Sequence, residues 1–263
     1  MRTLARTMYR KLRSFQARRV NKLDFRASYS RLVKSLERTH DTDRAMELAV
    51  GGEFEAVGLL ERETLKHFGL RADDYVIDVG CGSGRLAQPL SQYLTGRYLG
   101  IDIVPELVSH ARRIGGRPDW RFEVAEGLSI PEKDEAADFV CFFSVFTHLL
   151  HEQTYVYLRE AKRVLKPRGK IVFSYLDFTV PDHWNIFEFN IRDLGVNSHP
   201  LNMFVSKDAI RIWAEHLGLE VRAIEDGDKP FVPLSEPIVF ESGSVVEKVG
   251  TIGQSVCVLQ KPA

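Results

Sequence analysis

No run of about 18 apolar residues occurs in the 263-residue chain, so no segment is expected to span a membrane. Cysteine is scarce: Cys81, Cys141 and Cys257 are the only three. They fall in a glycine turn and two predicted strands with no paired spacing of the kind that makes metal sites or disulfide frameworks, so no metal is expected and a reduced, cytoplasmic setting is. There is no internal repeat and no low-complexity tract, which excludes repeat arrays and disordered linkers. Net charge is also absent, 36 Lys and Arg balancing 36 Asp and Glu. That balance conceals a division, because residues 1–40 hold twelve basic residues against Asp24 and Glu37. The first forty residues therefore carry +10 and the remainder −10. With 44% apolar residues, the chain has enough for the core of one domain of ordinary size with an added segment.

The most informative stretch is Tyr75-Val-Ile-Asp-Val-Gly-Cys-Gly-Ser-Gly-Arg-Leu-Ala87. A β-rich apolar run ends in Asp78, glycines follow at positions 80, 82 and 84, and helix formers come next. This order predicts strand, tight turn, helix. Glycine permits positive φ and lets a ligand lie on bare backbone, while the following helix offers unpaired N–H groups. The dinucleotide fingerprint would place its third glycine at position 85, and Arg85 stands there instead. A second apolar run, Arg97 to Asp102, ends in an acid 18 residues after Gly84, where a carboxylate can accept both hydroxyls of a ribose.

These residues resemble the motifs of the class I S-adenosylmethionine-dependent methyltransferases, with Asp78-x-Gly80-x-Gly82-x-Gly84 as the first motif and Gly100-Ile-Asp102 as the second. The resemblance continues through Phe122-Glu-Val-Ala-Glu126-Gly-Leu128, Asp138 to Leu149, and Arg163 to Lys170, and covers roughly residues 50–176. Glu126 stands where the family more often has Asp, and Arg168 where Gly is common. The resemblance implies a Rossmann-like methyltransferase fold with a mostly parallel seven-stranded sheet and S-adenosylmethionine as cofactor. It implies that Gly80, Cys81, Gly82, Gly84 and Arg85 pass under the methionine part and that Asp78 orients that loop and the amino group. Asp102 would hold the ribose, Ile103 would pack on adenine, and Glu126, Gly127 and Leu128 would border the ring. Phe143 and Ser144 would meet the cofactor from the fourth strand.

Along the chain, Leu4, Met8, Leu12 and Phe15 recur at helical spacing among basic residues, so an amphipathic helix is expected in an extension over residues 1–50. It could pack on the acidic body and help close the site, or lie on an anionic membrane surface through residues 1–20. Nucleic-acid contact is disfavoured because aromatic interleaving is sparse, and an organelle transit peptide is a further option. Residues 41–52 are expected to be a connection, with Val50-Gly51-Gly52 beside the methionine end, and a helix should run from Glu53 to Phe68. The body, residues 51–263, alternates as in a doubly wound α/β sheet: strands near 75–79, 98–102, 120–124, 138–143 and 170–176, helices near 84–94, 105–114 and 152–165. Ser206 should cap a helix to about Leu217, and 219–224 and 255–259 should close the sheet. The segments 177–204, irregular and aromatic, and 227–250 are expected to cover the substrate.

Transfer to a phenol or alcohol requires a base. His148 is the best-placed titratable residue, with His151 behind it, though a histidine there often only caps or packs. Phe146, Tyr175, His183 and Trp184 are expected at the acceptor. The expected acceptor is a small molecule, a sugar or aromatic metabolite methylated on oxygen or nitrogen. A macromolecule reached through the basic arm is the alternative. Base methylation of nucleic acid is not expected, since Ser144-Val-Phe-Thr147 stands where those enzymes carry an Asn- or Asp-Pro-Pro-aromatic tetrad. Arg85 disfavours a nicotinamide oxidoreductase, and the five motifs together disfavour a non-catalytic nucleotide-binding module.

Overall fold

Parallel strands covered on both faces are apolar on both faces, and Val76, Ile77 and Val79 are buried accordingly. The computed structural model describes residues 25–193 and 202–263. Seven strands form one sheet: β1 (Val76–Val79), β2 (Tyr98–Asp102), β3 (Arg121–Val124), β4 (Ala137–Phe142), β5 (Leu165–Tyr175), β6 (Glu220–Glu225) and β11 (Ser255–Gln260). Their order is β3-β2-β1-β4-β5-β11-β6. Pairings from β3 through β5 are parallel, and β11 runs antiparallel to both β5 and β6. The seven-stranded, mostly parallel, doubly wound sheet is therefore the expected one. The order reverses between β1 and β4, which is where such sheets take ligands.

The sheet's two faces carry separate cores. Val76, Phe139, Cys141, Val172 and Val258 pack with Leu65, Leu90 and Val108 on one side. Ile77, Val140, Phe142, Ile171 and Phe173 pack with Leu158, Ala161 and Ile210 on the other. The helices supplying these side chains are α3 (Phe54–His67), α4 (Ala87–Ser91) and α5 (Pro105–Gly115) on the first face, α6 (His151–Val164) and α8 (Lys207–Leu217) on the second. Ser206 caps α8 by accepting from Ala209 N, and Gly218 ends it with φ 60°.

Several expectations need correction. The helix expected near 84–94 is regular only over Ala87–Ser91, because Pro89 has no N–H to give the Arg85 carbonyl. That oxygen instead lies 2.3 Å from where a Cβ on Gly58 of α3 would stand. The connection 41–52 contains α2 (Thr42–Ala49), capped by Asp41, whose carboxylate accepts from Arg44 N. β5 starts at Leu165, and the expected turn at Pro167 and Gly169 is a bulge inside it, with Arg168 at φ 65° where the family favours glycine. Segment 177–204 is not irregular throughout, because Pro181 opens α7 (Pro181–Asp193), a favoured first helical residue. Excursion 227–250 holds four two-residue strands, β7 (Val232–Pro233), β8 (Ile238–Val239), β9 (Val245–Val246) and β10 (Val249–Gly250), paired as β7 with β10 and β8 with β9. Its Leu234, Ile238 and Phe240 pack on Ala56, Leu59 and Leu60 of α3, so it braces that helix.

The described part of the N-terminal extension, residues 25–50, holds α1 (Phe25–Leu36) and α2. Tyr29, Val33 and Leu36 of α1 pack against Met46 and Ala49 of α2 and Val104 and Leu107 at α5. The expected stripe Leu4, Met8, Leu12 and Phe15 lies outside the described residues. Among the described residues, no helix is long and apolar enough to cross a membrane.

Candidate active site

The turn after β1 is fixed from beneath by the end of β2. Gly80 N and Cys81 N both donate to the Ile101 carbonyl, at 2.7 and 3.0 Å. Asp102 then uses both carboxylate oxygens on backbone: Oδ2 accepts from Gly82 N at 3.0 Å and Oδ1 from Val104 N at 2.9 Å. Gly80 sits at φ 77°, and a Cβ there would stand 2.3 Å from Val145 Cγ2. Gly84, at φ 98°, backs onto α5, where a Cβ would meet Ala111 Cα at 2.8 Å. These contacts make glycine necessary on steric grounds alone.

Above the turn lies a cavity of about 1120 Å³ at the C-terminal ends of β1, β2, β3 and β4. Of the residues singled out in the sequence, Asp78, Gly80, Cys81, Gly82, Arg85, Asp102, Ile103, Glu126, Gly127, Leu128, Phe143, Ser144 and His148 line it, as do Val50, Gly51 and Gly52. Gly84 does not, because its role is the close packing on α5. Five aromatic and histidine expectations also fall elsewhere. Phe146 stacks on Phe142 at 4.6 Å, and Tyr175 is buried beside Phe173 in the α6 face of the core. His183 is fully buried, Nδ1 accepting from Asp177 N at 2.9 Å and Nε2 donating to the Gly253 carbonyl at 3.1 Å. Trp184 is exposed on α7 and donates to Glu188. His151, the second proposed base, donates from Nε2 to the Phe204 carbonyl at 2.9 Å and meets Trp213 edge-on, away from the cavity.

Asp78 is buried, its Oδ2 accepting from the Tyr98 hydroxyl at 2.7 Å instead of from the glycine loop. Burial pushes its pKa up to about 7, against the opposing pull of the Tyr98 hydrogen bond. Burial also raises Asp102, opposed by the Val104 and Gly82 amides, and raises Glu61, opposed by Arg85. Arg85 braces the rim: Nη2 donates to Glu61 Oε1 at 2.6 Å and Nη1 to the Val50 carbonyl at 2.8 Å. Gly51, Gly52 and Glu53 follow at φ 100°, 70° and 46°, and this left-handed strap is tied outward by Glu241, which accepts from Glu53 N and from both Arg44 terminal nitrogens. After β4, Ser144 is held at φ 58°, its N donating to Ser174 Oγ at 2.7 Å and its Oγ accepting from Gln254 Nε2 at 3.1 Å. A non-glycine residue in that conformation stores backbone strain, which these two hydrogen bonds help to hold.

Other lining residues were not expected. Arg26, Tyr29 and Leu32 come from α1, Glu61 from α3, Tyr157 from α6, and Ile252 and Gln254 from the approach to β11. Tyr29 meets the His148 ring edge-on at 5.6 Å between centroids, and its pKa is pushed up to about 12, chiefly by burial. The Tyr157 hydroxyl donates to the Gly127 carbonyl at 3.2 Å. Only Glu61 had a readable signal: it interrupts the i, i+4 stripe Val57, Glu61, Leu65 with a charge. The others depend on how distant segments meet.

The family model described as a methyltransferase domain matches residues 77–173. Over 179 residues the chain is 30% identical to the ubiquinone biosynthesis O-methyltransferase of Azorhizobium caulinodans, covering 63% of this chain and 69% of that protein. This chain belongs to the class I S-adenosylmethionine-dependent methyltransferases. The Xanthomonas euvesicatoria protein of the same name is 27% identical over 157 residues, covering 57% of this chain and 64% of its own length. The magnesium protoporphyrin IX methyltransferase of Synechocystis, solved with bound S-adenosylhomocysteine, superposes with a TM-score of 0.55 at 16% identity, over 80% of this chain and 86% of its own. At that identity the likeness is one of fold.

Proposed function

We propose that the protein transfers a methyl group from S-adenosylmethionine to a small-molecule acceptor, methylating oxygen or nitrogen of an aromatic or sugar-like metabolite. The observation that carries this reading is the meeting of the glycine turn, Asp102 and His148 in one cavity at the point of strand reversal. The donor fits the residues present. Asp102 spends one lone pair of each oxygen on backbone and keeps others for a ribose diol. Carboxylates outnumber guanidinium groups in the lining, which suits a ligand carrying a sulfonium and an ammonium. At about 1120 Å³ the cavity lies at the upper end of the range of ligand sites, roughly 300–1,000 Å³, which suits a donor and a small acceptor together.

When bound, the cofactor supplies a methyl group on a positively charged sulfur. Residues such as Gly80, Gly82 and Asp102 would hold that donor at the turn, for transfer of its methyl to the acceptor's lone pair with a neutral thioether as the leaving group. The protein's work is alignment and exclusion of water, which can lower the barrier by several kcal/mol. The strap Val50–Glu53 and α1 close the cavity over the turn. Ile103 and Leu128 offer apolar surface for adenine, and Asp78, which lines the cavity, offers a carboxyl group to an ammonium. For a hydroxyl acceptor, His148 takes the proton. Names borne by the relatives favour a small acceptor, since both are ubiquinone biosynthesis O-methyltransferases.

Screening a metabolite panel for release of S-adenosylhomocysteine tests the proposal. Turnover on a small hydroxyl acceptor is expected, falling about 10²–10⁴-fold in His148→Asn with cofactor affinity kept. Activity confined to RNA or protein would refute the acceptor class, and an unchanged His148→Asn rate would return that residue to packing.

A further inference from the structure

We propose, on the basis of that reading, that the acceptor is an anion, a flat aromatic metabolite bearing a carboxylate, and that Arg26 selects it. Among the described residues, two arginines line the cavity. Arg85 is committed to the wall through Glu61 and the Val50 carbonyl. Arg26 makes no hydrogen bond or ion pair among the described residues and is exposed at the cavity's edge. Its guanidinium therefore still has its full donor set, in the planar fork that matches a carboxylate.

What lies next to Arg26 defines the rest of the ligand. Tyr29 and Leu32 follow at successive i+3 positions on α1, and all three reach the cavity. The Tyr29 ring meets the proposed base His148 edge-on. Along this wall a ligand would meet a cation, then an aromatic ring beside the base, then an aliphatic side chain. Val145 and Leu149, which flank His148 in sequence, add apolar surface. An acceptor placed here would point its carboxylate at Arg26, rest its ring against Tyr29, and turn its hydroxyl toward His148.

Charge gives the arginine its selective value. Glu53, Asp102 and Glu126 line the cavity and would repel an anion approaching unaided, whereas Glu61 is paired with Arg85. The same excess attracts the cationic donor. A guanidinium on α1 with no partner among the described residues lets one cavity take a cation at the glycine turn and an anion beside α1.

The test uses the full-length protein saturated with S-adenosylhomocysteine, titrated calorimetrically with matched pairs: 4-hydroxybenzoate and phenol, 3,4-dihydroxybenzoate and catechol. Methyl transfer to the same compounds is measured with S-adenosylmethionine. The carboxylated member of each pair is expected to bind more tightly and to be the better acceptor. Arg26→Ala should weaken it about tenfold, while binding of the neutral member and of S-adenosylhomocysteine is unchanged. Arg26→Lys should restore part of the loss. Equal binding of both members, binding of neither, or indifference to Arg26→Ala would overturn the proposal and leave the methyltransferase reading standing. A loss of S-adenosylhomocysteine affinity in Arg26→Ala would also overturn it, by assigning the arginine to the cofactor's own carboxylate. Failure of S-adenosylhomocysteine to bind at all would instead remove the reading on which the proposal rests.

Discussion

Asp102 holds two backbone amides, Gly82 N and Val104 N, and it is this double grip that couples the glycine turn to the end of β2. Asp102→Asn presents an NH₂ group to one of those donors, so a bond is lost and the turn loosens. Affinity for S-adenosylhomocysteine should fall about ten- to a hundredfold, corresponding to a charge-assisted bond of about 1.5–3 kcal/mol. A calorimetric titration of the variant checks this, and unchanged affinity would separate the acid from the ribose. Asp78 makes a different prediction. Its pKa rises from 3.8 to about 7 on folding, so the folded state holds a proton that the unfolded chain has released. Its contribution therefore favours folding least above about pH 7 and becomes steadily less unfavourable as pH falls toward 3.8. Thermal melts at several pH values should show a shallower fall in stability between pH 4 and 7 for Asp78→Asn than for the native protein. Identical slopes would contradict the buried-acid account.

At the scale of elements, α1 and α2 form the roof of the cavity and are held by Val33, Met46, Ala49 and Leu107. Deleting residues 1–38 removes Tyr29, Val33 and Leu36 together, each worth up to about 1.5–3 kcal/mol where fully buried. The melting temperature should drop by several degrees and S-adenosylhomocysteine should bind more weakly. A truncated protein equal to the parent in both respects would show the roof to be dispensable. Much of the element pattern was legible in the sequence because strands covered on both faces are apolar on both, as Val76, Ile77 and Val79 and Phe139 to Phe142 are. The helices α2 and α7 were missed. Each begins with a recognisable signal, Asp41 and Pro181, but lies in a segment whose glycines, histidines and aromatics suggest irregular chain. Residue identity alone also put into the cavity side chains that lie outside it. His183 and Trp184 carry suitable chemistry, yet one is spent joining Asp177 to Gly253 and the other points outward from α7. The residues that do reach the cavity from α1 and from Gln254 are brought there by packing between distant segments, which no local pattern encodes.

For the molecule as a whole, strand order decides where chemistry is placed. The reversal between β1 and β4 opens a crevice, the turn after β1 floors it, and the ends of β2, β3 and β4 supply its sides. A glycine turn spaced G-x-G-x-G with Arg85 bracing the strap is built for a ligand different from the one the dinucleotide fingerprint serves. Calorimetric titration of the full-length protein with S-adenosylmethionine, S-adenosylhomocysteine and NAD tests this most directly. The account predicts saturable one-to-one binding of both sulfur ligands and none of NAD; tight NAD binding with no response to either sulfur ligand would contradict it.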